Sequence, residues 1–446
     1  MEQLNIRHLP TSNLKPAPSN ARTHSEKQVG QIARSIERFG FNNPILIDEN
    51  RGVIAGHGRL RAAQKLGLAT VPTIRLAHLD AQQLRAYALA DNRLAELAGW
   101  DREILAIELQ GLLEVDLNFE ITDVGFEMAE IDLLLEEARP DGSTVDDEVM
   151  PDSSQVARLA RRGDLWQLGD HLLFCGDALD RLSYQALLGQ ERADLIFTDP
   201  PYNVPIKGHV SGLGKATHRE FVQASGEMSE AEFRQFLSST CEVLRDFSAD
   251  GSIHFICMDW RHIDALIDAG RSPYSELKNI CVWVKPNGGM GTLYRSRHEL
   301  VAVFKAGTAK HCNNVQLGAH GRYRTNVWEY DGMNSFQAGR EEKLAMHPTV
   351  KPVGLVADAI LDCSRRGDIV LDPFSGSGST LLAAERSGRR CRAMELDLAY
   401  VDVSLARFAR LTGKTPVNLC TGEVYEVDQE AISGLLGEAQ GGKGNG

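Results

Sequence analysis

Two short apolar runs constrain this chain more than any other feature, because each ends in a loop suited to the rim of a buried parallel sheet. Asp194-Leu-Ile-Phe-Thr198 leads into Asp199-Pro200-Pro201-Tyr202, and Asp368-Ile-Val-Leu371 leads into Asp372-Pro-Phe374-Ser375-Gly376-Ser-Gly378-Ser-Thr380. Apolar runs of this length, without polar alternation, fit strands covered on both faces. From Gly163 onward strand and helix patterns alternate, with Thr380–Ser387 reading as a helix and Arg392-Ala-Met-Glu395 as the next strand. The expected class is α/β, an open doubly wound sheet that binds ligands at the carboxyl ends of its strands.

The glycine loop has the strand–turn–helix form in which backbone approaches a ligand closely. A nicotinamide fingerprint would want a third small residue at position 381, where Leu381 stands, and no Lys follows the glycines as in a P-loop. Glu395, at the end of the following strand, is placed to accept ribose hydroxyls, with Asp397 as a second acceptor. By itself this loop also fits a strand-to-helix turn with no ligand.

The other loop supplies a chemistry. An exocyclic amine on an aromatic ring is a poor nucleophile, because its lone pair is delocalised into the ring. Acceptors that draw its N–H bonds out of plane restore the lone pair. The Asp199 carboxylate and the Pro200 carbonyl are two such acceptors, Pro201 adds no competing donor, and Tyr202 can stack on a base flipped out of a duplex. The competing reading is a Pro-Pro turn that caps a strand.

With these residues in view, the region from about 161 to 425 resembles the beta class of amino-group DNA methyltransferases. Its Asp-Pro-Pro-Tyr loop precedes the recognition region and its Phe-x-Gly-x-Gly loop follows it, as in that class. His347-Pro-Thr349-Val-Lys351-Pro352 and Cys175-Gly176-Asp177 match two further elements of the class. The resemblance implies a Rossmann-like sheet in circularly permuted order and S-adenosyl-L-methionine as cofactor. It implies a cofactor site of Asp177, Thr349, Lys351, Asp372, Phe374, Ser375, Gly376, Gly378 and Glu395, with Thr349 and Lys351 facing the methionine end. Catalysis would fall to Asp199, Pro200, Pro201 and Tyr202, by direct transfer without a covalent enzyme intermediate. Asp at 199 favours the N6 amino group of adenine, since Ser is commoner there in N4-cytosine enzymes.

Residues 1–80 read as a smaller α/β domain. Lys27–Phe39 carries apolar residues at helical spacing, Pro44-Ile-Leu-Ile and Gly52-Val-Ile-Ala read as strands, and Gly58–Leu66 as a helix. Val71-Pro-Thr-Ile-Arg-Leu76 reads as an edge strand. Ile54-Ala-Gly56-His57-Gly58-Arg59-Leu-Arg61 resembles the nucleotide-binding loop of the ParB/sulfiredoxin-like domain. That likeness implies a nucleotide near Arg22, Gly56, His57 and Arg59. His57 stands where partition proteins have Glu, and Gly58 where they have the first Arg. A degenerate domain serving DNA association or dimerisation is the competing reading. Residues 81–138 form an expected helical extension without a catalytic signature, 139–160 an acidic linker, and 426–446 a glycine-rich tail.

A net charge of −13 argues against a nucleic-acid partner only if the charge is evenly spread, and acidic residues dominate 101–152. Within about 204–346, Lys207, Lys215, Arg219, Arg295, Arg297, Arg322 and Arg324 are the basic candidates for double-stranded DNA, while Trp283 and Trp328 are expected in the core. The eight cysteines are scattered, with no Cys-x-x-Cys, so neither a disulfide framework nor a metal site is expected. The N-terminus lacks an export pattern and no run is long enough to span a membrane, which makes a cytoplasmic protein the expectation. The leading expectation is a site-specific DNA N6-adenine methyltransferase with a ParB-like prefix. The alternatives are N4-cytosine methylation, or a partition-like DNA-binding switch whose methyltransferase half is vestigial.

Overall fold

Strand pairing in the computed structural model gives two separate sheets, one in each of two units, Met1–Arg139 and Pro140–Gly446. The structure describes residues 4–115, 117–139, 151, 156–204, 226–286, 288, 293–318, 322–331 and 350–426. Among the described residues, no helix is long and apolar enough to cross a membrane.

In the first unit, Ser25 caps α1 (Glu26–Phe39) by accepting from the Gln28 N–H, and Gly40, at φ 87°, ends it. Asp48 holds the turn between β2 (Ile45–Ile47) and β3 (Val53–Ala55), accepting from the N–H groups of Asn50 and Gly52. After α2 (His57–Lys65) comes β4 (Thr70–Arg75), and the order is β1 (Ile6–Pro10), β4, β2, β3. The edge position expected for Val71–Arg75 is therefore wrong. β1 covers that side by pairing of Ile6–Pro10 with Thr70–Ile74, a contact between distant segments that a local pattern cannot show. α3 (Ala81–Leu97), α4 (Arg102–Glu114) and α5 (Met128–Glu137) follow, and Leu109, Ile121, Ile131 and Leu134 bury a small core between the last two.

The second unit is a mixed sheet. Its strands are β5 (Leu165–Leu168), β6 (His171–Cys175), β7 (Ala193–Thr198), β8 (Ser248–Met258), β9 (Glu276–Val284), β10 (His298–Lys305), β11 (Val327–Glu329), β12 (Ile369–Asp372), β13 (Arg390–Glu395) and β14 (Val417–Asn418). They lie in the order β11-β9-β10-β8-β7-β12-β13-β6-β5-β14, and β8, β7, β12, β13 and β6 run parallel. Both faces are covered. α6 (Arg181–Leu188), α7 (Glu230–Asp246) and α8 (Ile263–Gly270) pack on Ile196, Leu371 and Met394. On the other face α9 (Val353–Cys363), α10 (Ser379–Ser387) and α11 (Leu398–Thr412) pack on Leu195, Phe197 and Val370. The doubly wound sheet is the one expected from the alternating strand and helix pattern, and its permuted Rossmann-like order is the one the resemblance implies.

From β7 the chain passes to β8 on one side, whereas from β12 it passes to β13 on the other. The strand order thus reverses between β7 and β12, and a crevice opens at their carboxyl ends.

β8 also carries a buried polar chain, in which His254 lies 3.0 Å from Ser252 Oγ and 2.9 Å from the Tyr274 hydroxyl. Burial pushes the His254 pKa down to about 3. The unfolded chain therefore binds a proton that the native state refuses, and stability falls as pH drops below the ordinary histidine value of about 6.5. Urea denaturation between pH ~6 and ~5 should show a contribution of about 1.4 kcal/mol per pH unit from this residue, a slope that His254→Asn removes.

Candidate active site

The two loops singled out in the sequence meet at the switch point. β12 pairs with β7 through Val370–Leu195 and Leu371–Ile196, so residues 199–202 and 373–378 leave the sheet side by side. Thr198 Oγ1 donates to Asp372 Oδ1 at 2.8 Å, and the same oxygen accepts from the Phe374 N–H at 3.2 Å. Asp372 is thus a brace beneath both loops. Burial raises its pKa to about 6, against the opposing hydrogen bonds from Thr380 and Thr198.

The glycine loop needs its glycines. Gly378 has φ 83°, and a Cβ there would lie 3.0 Å from Ser404 Oγ. The Gly376 N–H donates to Glu395 Oε2 at 2.7 Å, and the Asp397 N–H to Oε1 at 2.8 Å. Burial pushes Glu395 up to about 7, with these N–H groups pulling the other way. A carboxylate offers about four acceptor directions, so Glu395 retains capacity for further donors. Nearby, the Ser375 hydroxyl is buried and has no hydrogen-bond partner among the described residues. The Gly176 N–H donates to the Glu395 carbonyl, which brings half-buried Asp177 alongside. Phe374 is partly buried against the α6–α8 face. A polar cradle from three segments results, and it fits a ligand with hydroxyl groups.

At the second loop, both Asp199 oxygens are engaged, Oδ1 by the Tyr202 hydroxyl and Oδ2 by the Lys351 ammonium. Lys351 is 6 % exposed and also reaches Glu299 Oε2 at 2.9 Å and the Tyr202 hydroxyl at 3.3 Å. Lys285 donates to the other Glu299 oxygen. The result is a row of alternating charge: Lys285, Glu299, Lys351, Asp199. Burial raises the Asp199 pKa more than Lys351 lowers it, and Glu299 adds to the rise. Burial would also raise Glu299, but Lys351 and Lys285 hold it well below the usual carboxylate range. Lys351 was expected to face the methionine end of a cofactor, and the structure sets its ammonium on Asp199. Sequence reasoning missed Glu299 and Lys285. The available signal was a carboxylate near the start of the apolar strand His298-Glu299-Leu-Val-Ala-Val-Phe304.

Two of the expected DNA contacts are corrected. Arg322 is buried and donates to Asp362 and Asp358, and Arg324 donates to the same two carboxylates and to Tyr330. Their guanidinium groups brace α9 and are not available to phosphate. Arg295 and Arg297 are exposed between β9 and β10, with Arg297 anchored on the Lys285 carbonyl at 3.1 Å. Lys207, Lys215, Arg219 and Thr349 lie outside the described residues. Trp283 and Trp328 are buried in the core.

In the first unit a cavity of about 370 Å³ is lined by Asn20, Arg22, Thr23, His24, His57 and Arg61, among others. Gly56 and Arg59, expected at a nucleotide, do not line it. Gly56 forms the left-handed N-cap of α2, and Arg59 turns to the Pro44 carbonyl. A Cβ on Gly58, the position where partition proteins have the first Arg, would meet the His24 and Ile32 side chains at 3.0 Å, a tight fit. Burial, then His24, lowers the His57 pKa, and its Nε2 accepts from the Ala17 N–H.

Comparison with known proteins finds matches to three stretches of the chain. The chain matches the DNA methylase family over residues 193–406, the ParB N-terminal domain over 1–93 and the ParB-methyltransferase HTH domain over 103–159. The last takes in α4 and α5, for which the sequence suggested no role. The ParB-like nuclease domain-containing protein YnaK of Escherichia coli K12 is 49% identical over 82 residues, which cover 18% of this chain and 94% of that protein. The type II methyltransferase M2.MboI of Moraxella bovis is 25% identical over 251 residues, 54% of this chain and 88% of that one. The solved PvuII DNA methyltransferase, cytosine-N4-specific, is 16% identical with a TM-score of 0.40, covering 61% of this chain and 93% of its own.

The reassigned arginines give a direct test. Arg322→Ala removes one of the two guanidinium partners of buried Asp362 and half-buried Asp358, leaves Arg324 to hold both, and should destabilise the protein by about 1–3 kcal/mol in urea denaturation. Arg295→Ala and Arg297→Ala, at exposed positions, should stay within about 0.5 kcal/mol of the parent.

Proposed function

This chain belongs to the ParB-like proteins through an N-terminal domain fused to an amino-group DNA methyltransferase domain, and from that premise we propose that it methylates the N6 amino group of adenine in double-stranded DNA. The methyl donor is S-adenosyl-L-methionine. The observation that carries this reading is the adjacency, at one switch point, of a hydroxyl-accepting cradle and an amine-accepting carboxylate.

The residues fit the cofactor. Glu395 keeps acceptor capacity for ribose hydroxyls, the buried Ser375 hydroxyl has no partner among the described residues, and Asp177 lies beside them for the adenine. Phe374, Gly376 and Gly378 shape the wall, and Asp372 braces it. Bound there, the cofactor supplies an electrophilic methyl group. Asp199 and the Pro200 carbonyl accept the two N–H bonds of the flipped base and free its lone pair. Positive charge growing on that nitrogen faces the Asp199 carboxylate, and the methylated nitrogen, a strong acid at that stage, gives its proton to water. Tyr202 orients Asp199 through its hydroxyl and offers its ring to the base. The choice of adenine rests on Asp at position 199, and an N4-cytosine target would use the same acceptors.

In the N-terminal domain, the cavity takes a nucleotide with Arg22 and Arg61 toward its phosphates and His57 at its base. Isothermal titration of the full chain with nucleoside triphosphates should give a binding isotherm that Arg61→Ala abolishes.

Transfer of labelled methyl groups to duplex DNA of mixed sequence tests the main reading, and digestion to nucleosides should place the label on adenine. Asp199→Ala should lower transfer by about 100- to 1000-fold or more, the scale for losing one charge-stabilising group. Asp199 acts ionised, so the rate should fall as pH drops through its raised pKa. Lys351→Met removes the charge that opposes this rise, and the acid limb should then move to higher pH.

A further inference from the structure

Lys351 stands between two carboxylates and serves both. Its Nζ donates to Asp199 Oδ2 and lies 2.9 Å from Glu299 Oε2, with the Tyr202 hydroxyl 3.3 Å away. An ammonium has three donors, and these three partners account for them. The groups around Asp199 come from four strands and a loop: Tyr202 on its own loop, Cys257 on β8, Lys285 just after β9, Glu299 on β10 and Asp372 on β12, with Lys351 leading into α9.

A target amine that needs Asp199 as acceptor competes with Lys351 for the same oxygen. A carboxylate that keeps its ammonium partner also stabilises positive charge on the amine less well. If Lys351 left Asp199 with no other partner, a buried cation would be stranded at heavy cost. Glu299 removes that difficulty, because it is fixed from the far side by Lys285 and presents its second oxygen to Lys351.

We propose that Glu299 is a positioning residue for methyl transfer, holding Lys351 when the target amine takes over Asp199 as its acceptor. This rests on the amino-methyltransferase reading above. Glu299 touches neither base nor cofactor in this scheme and acts only through Lys351. Lys285 sets its reach by anchoring the other carboxylate oxygen. β9 and β10 thereby gain a role in the chemistry, although neither strand carries a motif residue.

The test measures single-turnover methyl transfer to duplex DNA across pH for the full chain and its Glu299→Gln, Lys351→Met and doubly substituted forms. Glu299→Gln should lower the rate on the alkaline plateau by about 10- to 100-fold, the scale of a misplaced reacting group. Cofactor affinity by titration should stay within about twofold, since the glycine-loop cradle is untouched. In the Lys351→Met background the same substitution should cause no further loss, because the residue it positions is gone. Glu299→Gln should also move the acid limb to lower pH, since it removes a negative neighbour of Asp199. Lys285→Met, at the more exposed end, should move the limb upward by releasing Glu299 wholly to Lys351, and it reads the proposal even if Glu299→Gln fails to fold. An unchanged plateau in Glu299→Gln, an equal loss in both backgrounds, or an unmoved limb in Lys285→Met overturns the proposal. If the parent chain transfers no methyl group, the functional reading itself fails, which is a separate outcome.

Discussion

The parallel pairing of β7 with β12 is the contact on which the rest of the catalytic unit depends. These strands are far apart in sequence, yet their carboxyl ends must sit side by side for the two loops to share one crevice. The Thr198–Asp372 hydrogen bond locks that adjacency at its rim, in a site buried enough to raise the Asp372 pKa. A slip of one residue between these strands would turn Leu195 and Phe197 from one helical layer to the other. The apolar faces of the two layers therefore fix the geometry of the site as well as the stability of the sheet.

The site divides its work between backbone and side chains. Glycines with positive φ and N–H groups pointing at Glu395 form the cradle, which is preorganised because strands and helix ends hold it. The proposed amine clamp is built from charge instead. Asp199, Lys351, Glu299 and Lys285 alternate in sign, so each buried ion has a partner and none bears its desolvation alone. Such a row can shift its hydrogen bonds without creating an isolated charge. A single Asp–Lys pair could not do so.

Much of the architecture was legible because it follows from local pattern. The strands at 193–198 and 369–372, the helix at 379–387 and the hairpin around Asp48 lie where apolar runs and turn residues put them. The position of β4 was misread, since only pairing with Ile6–Pro10 places that strand in the sheet interior. Arg322 and Arg324 were misread for a related reason. Positive charge in a sequence says nothing about whether an Asp lies opposite it, and here Asp358 and Asp362 on α9 do. Of the residues implied by the likeness at Gly56–Arg61, Arg22 and His57 line a cavity together with His24 and Arg61, whereas Arg59 turns away from it.

By itself the sequence determined the sheet class, the two-part organisation and the acceptor groups that the two loops offer. Periodicity, turn residues and the donor and acceptor groups of a tetrapeptide are properties of neighbouring residues. Only the tertiary structure decided which charges face one another. Asp199 meets Lys351 and Glu299 because β7, β10 and the segment before α9 converge at one end of the sheet. Burial at that point turns three ordinary ionisable residues into a coupled row, and burial is a property of the fold that no single stretch of chain contains.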